Sequence, residues 1–291
     1  MGNIKFTPAI SAKANQNSYI NNPPELLLKS IIASIGGASI IEKNVQYLYN
    51  RFRFGSFSFN RFKYNELLYI NFIPQIKDTD KVYDIGCGRG HFSRELVEKF
   101  KIKKKNIFCV DLSEVNIDYL KELGYRGSVG SNLFLDFIET NSADKTISNG
   151  VIHHTSEPDK CLDELIRITT DGGQIFLSVY SNKVPYYRFV WYLGTPVRYI
   201  FWNVNKTVIE SFIFPLVYIF FILPLGLIFL KKLLKKKEAK VLFMDQLITP
   251  YAYSFYRKDI VSKIINRGCE IISMKLNKFC LMDSFIIKVN K

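Results

Sequence analysis

The sequence predicts a doubly wound α/β domain with a mostly parallel sheet. Two observations carry this. Short apolar strands alternate with amphipathic helices between residues 81 and 180, and a glycine-rich turn joins the first strand of that series to its first helix. Repeated β–α–β units with short apolar strands call for a parallel sheet covered by helices on both faces. The chain has 291 residues, 48% of them hydrophobic and 23% charged. That is enough for one core with additions, and the composition is not that of a disordered tail.

Residues 1 to 22 are polar and Asn-rich, and a frayed start is expected there. Pro23-Pro24-Glu25 resembles a helix start, followed by an apolar run ending near Ile41. Tyr47 to Phe62 is dense in aromatic residues and arginine. This is the pattern of a lid or a packed core, with stacking on nucleic acid as the alternative. Tyr64 to Ile76 reads as an amphipathic helix leading into the first strand. Strands are expected at Lys81–Ile85, Asn106–Val110, Lys145–Val151 and Gln174–Tyr180, and helices at Phe92–Phe100, Glu114–Leu123 and Asp159–Thr169, with Asp171-Gly172-Gly173 as a turn. A last helix at Arg257–Arg267, stopped by Gly268, precedes strands at Glu270–Leu276 and Ser284–Val289. The expected organisation is an N-terminal helical cap (1–76), a first core part (77–182), a hydrophobic insertion (183–245) and a closing core part (246–291).

The net charge is +14, concentrated partly in Lys101–Lys105 and Lys231–Lys237. Such a balance fits nucleic acid, an anionic membrane surface or an anionic substrate. Five cysteines, without zinc-like spacing, are expected to be reduced thiols. No signal peptide is expected at the start. Met1-Gly2 begins like a myristoylation site, but Phe6 stands where Ser or Thr is required.

The sharpest signal is Val82 to Phe92, VYDIGCGRGHF, at the strand-to-helix junction. Glycines there let the backbone turn tightly and approach a ligand in front of a helix N-terminus. Asp111 closes the second strand, where an acid can accept ribose hydroxyls. Dinucleotide folds favour GxGxxG around a pyrophosphate. This loop reads instead DxGxGxG, with Asp84 ahead of Gly86, Gly88 and Gly90, and suits a ligand whose amino-acid end replaces phosphates.

These residues resemble motif I and the second-strand acid of class I S-adenosylmethionine-dependent methyltransferases. Asp144 to His154 resembles that family's fourth-strand motif, and Leu165 to Gly173 its helix and turn before the fifth strand. The likeness is nearest to the group that includes the quinone-biosynthesis methyltransferases. The resemblance implies a Rossmann-like seven-stranded sheet and S-adenosyl-L-methionine as cofactor. It also implies cofactor contacts from Asp84, Gly86, Cys87, Gly88, Gly90, Asp111, Leu112, Asn132 and Asn149. Asn132 stands where many relatives carry an Asp, and an amide oxygen can accept the same hydrogen bond. His154 and His153, at the end of the fourth strand, are candidate general bases for an acceptor that must lose a proton. No metal site is expected, because adjacent residues on a strand point to opposite faces. The Asn/Asp-Pro-Pro-aromatic stretch of enzymes that methylate nucleobase amines is missing after the fourth strand, so nucleic acid is not the expected partner.

The insertion sets the chain apart. Phe212 to Leu230 carries no charge, and as a helix it would extend about 28 Å, near the thickness of a hydrocarbon core. Lysines follow at once, and Tyr186 to Trp202 is rich in interfacial aromatics. One full crossing would separate strands that share a sheet. Pro215 and Pro224 are therefore read as breaking the run into a hairpin or an interfacial helix. The expected enzyme methylates a lipophilic or lipid-linked small molecule at the cytoplasmic face of a membrane, in a bacterium the inner membrane. A cytoplasmic methyltransferase with a hydrophobic lid, a non-catalytic membrane-bound assembly factor and an RNA methyltransferase are the alternatives.

Overall fold

The computed structural model describes residues 38–52, 65–182, 185–225, 235–252, 254–277 and 282–291. The expected helix start at Pro23, most of the Arg-rich aromatic stretch and the lysines at 231 and 232 lie outside them. Seven strands form one sheet: β1 (Val82–Ile85), β2 (Ile107–Asp111), β3 (Arg126–Val129), β4 (Ala143–Asn149), β5 (Thr169–Tyr180), β6 (Glu270–Asn277) and β7 (Met282–Lys288). Their order is β3-β2-β1-β4-β5-β7-β6, parallel except for β7, which runs antiparallel to both neighbours. This is the doubly wound Rossmann-like sheet expected from the sequence. Strand β3 (RGSV) has no apolar alternation because it lies at the sheet edge.

Helices α1 (Ala38–Arg51), α2 (His91–Glu98), α3 (Glu114–Glu122), α4 (Pro158–Ile168), α5 (Pro185–Asn203), α6 (Lys236–Phe243) and α7 (Arg257–Ile265) complete the frame. On one face of the sheet, Leu162 and Leu165 of α4 and Ile260 and Ile264 of α7 pack with Ile175, Leu177 and Phe285. On the other, Leu96 of α2 and Ile117 and Leu120 of α3 pack with Ile107, Ile147 and Phe176.

Several expectations need correction. The helix expected at Tyr64–Ile76 is a π-helical turn at Leu67–Phe72 followed by a 3-10 turn at Ile73–Gln75. Pro74 has no N–H to continue an α-helical ladder. Asp171–Gly173 lies within β5, where Gly172 at φ 73° and a register shift absorb the bend. The two histidines do not extend β4. They occupy a 3-10 turn, Ile152–His154, with ring centroids 4.3 Å apart, so the opposite-face argument against a shared ligand does not apply. Among the described residues no three metal-ligating side chains cluster.

The insertion builds a second core. Residues 206–225 run through successive α and π turns, with π segments at Ile209–Ile213 and Tyr218–Ile222 ahead of Pro215 and Pro224. A wide turn before each proline accommodates the missing donor, and the chain stays helical where breaks were expected. One side of this stretch (Ile209, Phe214) packs with Leu48 and Phe52, with Phe201 of α5 and with Ala239 and Phe243 of α6. Glu210 fastens the lobe, pairing with Arg51 at 2.9 Å and Lys240 at 2.8 Å. Trp202 donates to the Ile248 carbonyl at 2.8 Å, so this interfacial candidate is engaged within the lobe. No helix among the described residues is long and apolar enough to cross a membrane.

Helix α7 is tied to the antiparallel strand by Arg257, whose Nε lies 2.8 Å from Oδ1 of the buried Asp283. Removing the guanidinium would strand a buried carboxylate. The Arg257→Ala variant should therefore lose about 3 kcal/mol of stability, read as a lower urea midpoint at pH 7 with an unchanged denaturant slope.

Candidate active site

The strand order reverses between β1 and β4, and the carboxyl ends of the strands there form a crevice suited to a ligand. The glycine loop lies at this point. Gly86, Gly88 and Gly90 all have positive φ, at 77°, 54° and 63°. A Cβ on Gly86 would meet Val151 at 2.5 Å, and one on Gly90 would meet Leu120 at 2.3 Å. A Cβ on Gly88 would meet nothing within 4 Å. The outer glycines thus pack the loop onto the domain, while Gly88 presents bare backbone to open space, the cradle that a close-bound ligand needs.

Asp111 holds this loop. Its Oδ2 accepts from the Gly88 N–H at 2.7 Å, and its Oδ1 accepts from the Ser113 N–H at 2.9 Å and Asn116 Nδ2 at 3.1 Å. Three of about four acceptor positions are filled, which leaves one on Oδ2. Burial raises the Asp111 carboxyl above the ordinary value, against these three donors. Asp84 is buried beneath the loop and accepts from the Ser93 hydroxyl at 2.6 Å. Burial pushes its carboxyl up to about 7, opposed by Ser93 and assisted by the Asp111 charge. Cys87 is half-buried in the loop, and burial holds its thiol protonated. Leu112 is half-buried after β2, Asn132 is buried, and Asn149, at the end of β4, is exposed and accepts from Asn65 Nδ2 at 3.2 Å.

Helix α1 lies over the strand ends. Glu42 takes a hydrogen bond from Ser131, Gln46 Nε2 donates to the Leu112 carbonyl at 3.0 Å, and Asn50 Oδ1 accepts from Ser113 at 2.6 Å. These residues are spaced i, i+4, i+8 and form one polar face. That spacing is a polar stripe in a mixed helix, a signal the sequence carries without naming the residues it meets.

The second half of the crevice gathers around His154. Its Nδ1 lies 3.0 Å from the Tyr251 carbonyl, which fixes the hydrogen on Nδ1 and leaves the lone pair on Nε2. Tyr180 meets it edge-on with ring centroids 5.4 Å apart, and the tilted ring of Tyr49 lies 6.4 Å away. Gln246 Nε2 links Asp245 Oδ2 (2.7 Å) with the Tyr180 hydroxyl (3.4 Å). Burial lowers His154 below the usual imidazole value, while Asp245 and the Tyr251 carbonyl raise it. Burial raises Asp245, and His154 and Gln246 oppose that rise. His153 is different. It is wholly buried and stacked on Tyr180 at 3.7 Å, and its Nδ1 faces the Tyr180 N–H at 3.3 Å. Burial and His154 hold it well below the usual imidazole value, and its Nε2 has no hydrogen-bond partner. Tyr49, Tyr180, Asp245 and Gln246 come from α1, β5 and the π turn after α6 (Met244–Ile248), and no sequence motif marks them.

Residues 83–177 match the family model described as a methyltransferase domain. A chain of the Haloferax volcanii complex between the Trm112 methyltransferase activator and a methyltransferase shares the fold. Its TM-score is 0.52 at 12% identity, over 79% of this chain and 90% of that one. A Methanosarcina mazei S-adenosylmethionine-dependent methyltransferase aligns at TM-score 0.48 and 15% identity, over 77% and 98% of the two chains. A Thermotoga maritima protein described as a possible histamine N-methyltransferase aligns at 0.47 and 14%, over 85% and 100%. No curated protein matches the sequence. Residues 83–177 thus carry a methyltransferase domain on a Rossmann-like sheet, which supports S-adenosylmethionine-dependent methyl transfer with S-adenosylmethionine as the cofactor.

The raised Asp84 carboxyl has a consequence for stability. The folded protein keeps that proton to about pH 7, whereas an unfolded Asp releases it near pH 4, so stability falls as pH rises between the two. The ligand-free protein should lose about 3 kcal/mol between pH 5 and pH 8 through this group. Urea titrations of Asp84→Asn should show a correspondingly shallower pH dependence, with the remaining slope due in part to Asp111.

Proposed function

We propose that the enzyme transfers the methyl group of S-adenosylmethionine to a lipophilic acceptor at an anionic membrane surface. The observation that carries this reading is the outer side of the 206–225 stretch. There Phe212, Leu216, Ile219, Phe220 and Phe221 are exposed, Phe212 and Phe220 each to 67%. A row of large apolar side chains of this size marks an interaction surface. Exposed Lys235, Lys236 and Lys237 lie at the far end of the same insertion and match anionic headgroups. Half of the stretch is committed to the second core, so the surface suits shallow interfacial docking rather than a span. On a bacterial inner membrane these lysines would favour the anionic cytoplasmic leaflet.

In the catalytic half, the cofactor supplies an electrophilic methyl on a sulfonium. Gly86, Cys87, Gly88 and Gly90 give it backbone at close range, and Asp84 counters the ammonium of its amino-acid end. Asp111 takes a ribose hydroxyl at the open position of Oδ2, with Leu112, Asn132 and Asn149 around the remaining parts. His154 is the general base, because its Nε2 lone pair is the one left uncommitted. His153, sealed against Tyr180, is a wall of the acceptor site. In this reading α1 of the cap and the 183–245 insertion form one lobe over the crevice, supported by their shared apolar core.

Transfer of labelled methyl into native membranes tests the reading. Label should enter the lipid-extractable fraction and disappear with Asp111→Ala, which should also lose S-adenosylhomocysteine binding by calorimetry. Flotation with phosphatidylglycerol-rich vesicles should fall at least tenfold when Phe212, Leu216 and Phe220 are changed to Asp together, with cofactor affinity unchanged. Label confined to the aqueous fraction, or full flotation by the triple variant, would overturn the membrane assignment. The Haloferax neighbour is held with an activator protein. A stable protein complex through this face, in place of vesicle binding, would favour a partner of that kind.

A further inference from the structure

Two side-chain amides meet at the end of β4. Asn65 opens the π turn that follows it. Its backbone carbonyl accepts from the Tyr69 N–H at 3.1 Å, and its side-chain Oδ1 accepts from the Leu68 N–H at 3.4 Å. This is the capping geometry that asparagine favours at the start of a helical turn. Packing fixes the turn itself: Leu67, Leu68 and Phe72 are buried with Phe176 and Ile286 on one face of the sheet, and Glu66 pairs with Lys275 of β6. A cap engages only the oxygen of the amide. The nitrogen of Asn65 donates instead to Oδ1 of Asn149, at 3.2 Å. Asn65 is buried, whereas Asn149 is exposed. The Leu68 N–H therefore settles which way the Asn65 amide faces, and Asn65 settles the Asn149 amide. Both N–H bonds of Asn149 Nδ2 stay uncommitted among the described residues.

Asn149 closes β4, which lies beside β1 with Ile147 opposite Asp84. Gly86 and Asn149 each follow two residues later, so this amide stands where β4 adjoins the glycine loop. The chain reaches the turn of the two histidines only beyond it. Resting on the cofactor placement proposed above, we infer that Asn149 Nδ2 donates to the carboxylate of the cofactor's amino-acid end, and that Asn65 is the positioning residue that presents it. The amino-acid end is a zwitterion. A free amide can offer its oxygen to the ammonium or its N–H bonds to the carboxylate, and the two choices differ by a half-turn of the group. With Oδ1 engaged by Asn65, Asn149 offers N–H bonds alone, and these complement an anion. Ordering the amide before the ligand arrives removes part of the entropic cost of binding. Asp84, proposed for the ammonium, lies on the neighbouring strand, so the two ends of the zwitterion are met from β1 and β4. Asn65 touches no cofactor atom in this arrangement.

Calorimetry on the full-length protein with two ligands tests this: S-adenosylhomocysteine, and its decarboxylated analogue, which keeps the amine and lacks the carboxylate. Asn149→Ala should weaken S-adenosylhomocysteine about tenfold, the order expected for a lost hydrogen bond to a charged group, and leave the analogue within about twofold. Asn65→Asp is the sharper variant. It keeps an oxygen for the Leu68 N–H but removes the donor to Asn149, whose amide then turns its N–H bonds towards the new carboxylate and its oxygen towards the ligand. S-adenosylhomocysteine should again weaken about tenfold, with the analogue little changed. In the Asn149→Ala background the same substitution should add less than about twofold, because its effect runs through Asn149. Equal losses for both ligands would signal a distorted site and overturn the carboxylate assignment, as would unchanged affinity in Asn149→Ala. A further loss of full size in the double variant would mean direct repulsion of the ligand and would end the positioning role. A wild type that binds neither ligand would sink the cofactor placement on which this rests.

Discussion

Three hydrogen bonds converge on the Asp111 carboxylate, and much of the crevice depends on them. The donors come from the glycine loop, from the turn after β2 and from α3. A buried carboxylate needs such donors, since desolvation alone would neutralise it. In return it holds Gly88 in a left-handed conformation next to open space. The backbone N–H groups of Gly86 and Cys87 both point to the Val110 carbonyl, at 2.7 and 2.9 Å, so loop and strand end form one rigid unit. Preorganisation of this kind matters for methyl transfer, where geometry supplies much of the rate.

The lobe above the crevice rests on a different physics. Helix α1 has two jobs on two sides. Glu42, Gln46 and Asn50 bond to residues after β2 and β3, while Leu48 and Phe52 enter the apolar core of the insertion. Helix and insertion are therefore packed as one layer, and Glu210, shared by Arg51 and Lys240, ties them together with charge. An anchor on the outside of the insertion would in this way be connected to the roof of the site through a single packed layer.

The sheet was legible because its strands are short apolar runs separated by turn residues. The glycine loop was legible because only glycine tolerates its dihedral angles at those positions. Where the reading slipped, local chemistry explains it. Pro215 and Pro224 looked like breaks, yet π turns absorb a missing donor without ending a helix, whereas the helix expected through Pro74 gives way to π and 3-10 turns. The edge strand β3 has no two-sided burial to leave a pattern. At the candidate site, Asp111 and Asp84 stand in motifs. The polar face of α1 was written in the i, i+4 spacing of Glu42, Gln46 and Asn50, but the residues it meets lie on distant elements.

The sequence alone determined the fold class, the glycine loop and the class of chemistry, because each rests on residues adjacent in the chain whose conformations are locally restricted. Tertiary structure decided which of two neighbouring histidines keeps a free lone pair. That choice follows from the 3-10 turn, the Tyr251 carbonyl and the stacking of His153 on Tyr180. It also brought Tyr49, Tyr180 and Asp245 to one place from positions nearly two hundred residues apart in the chain. Burial and long-range charge act through space, so no spacing along the chain records them.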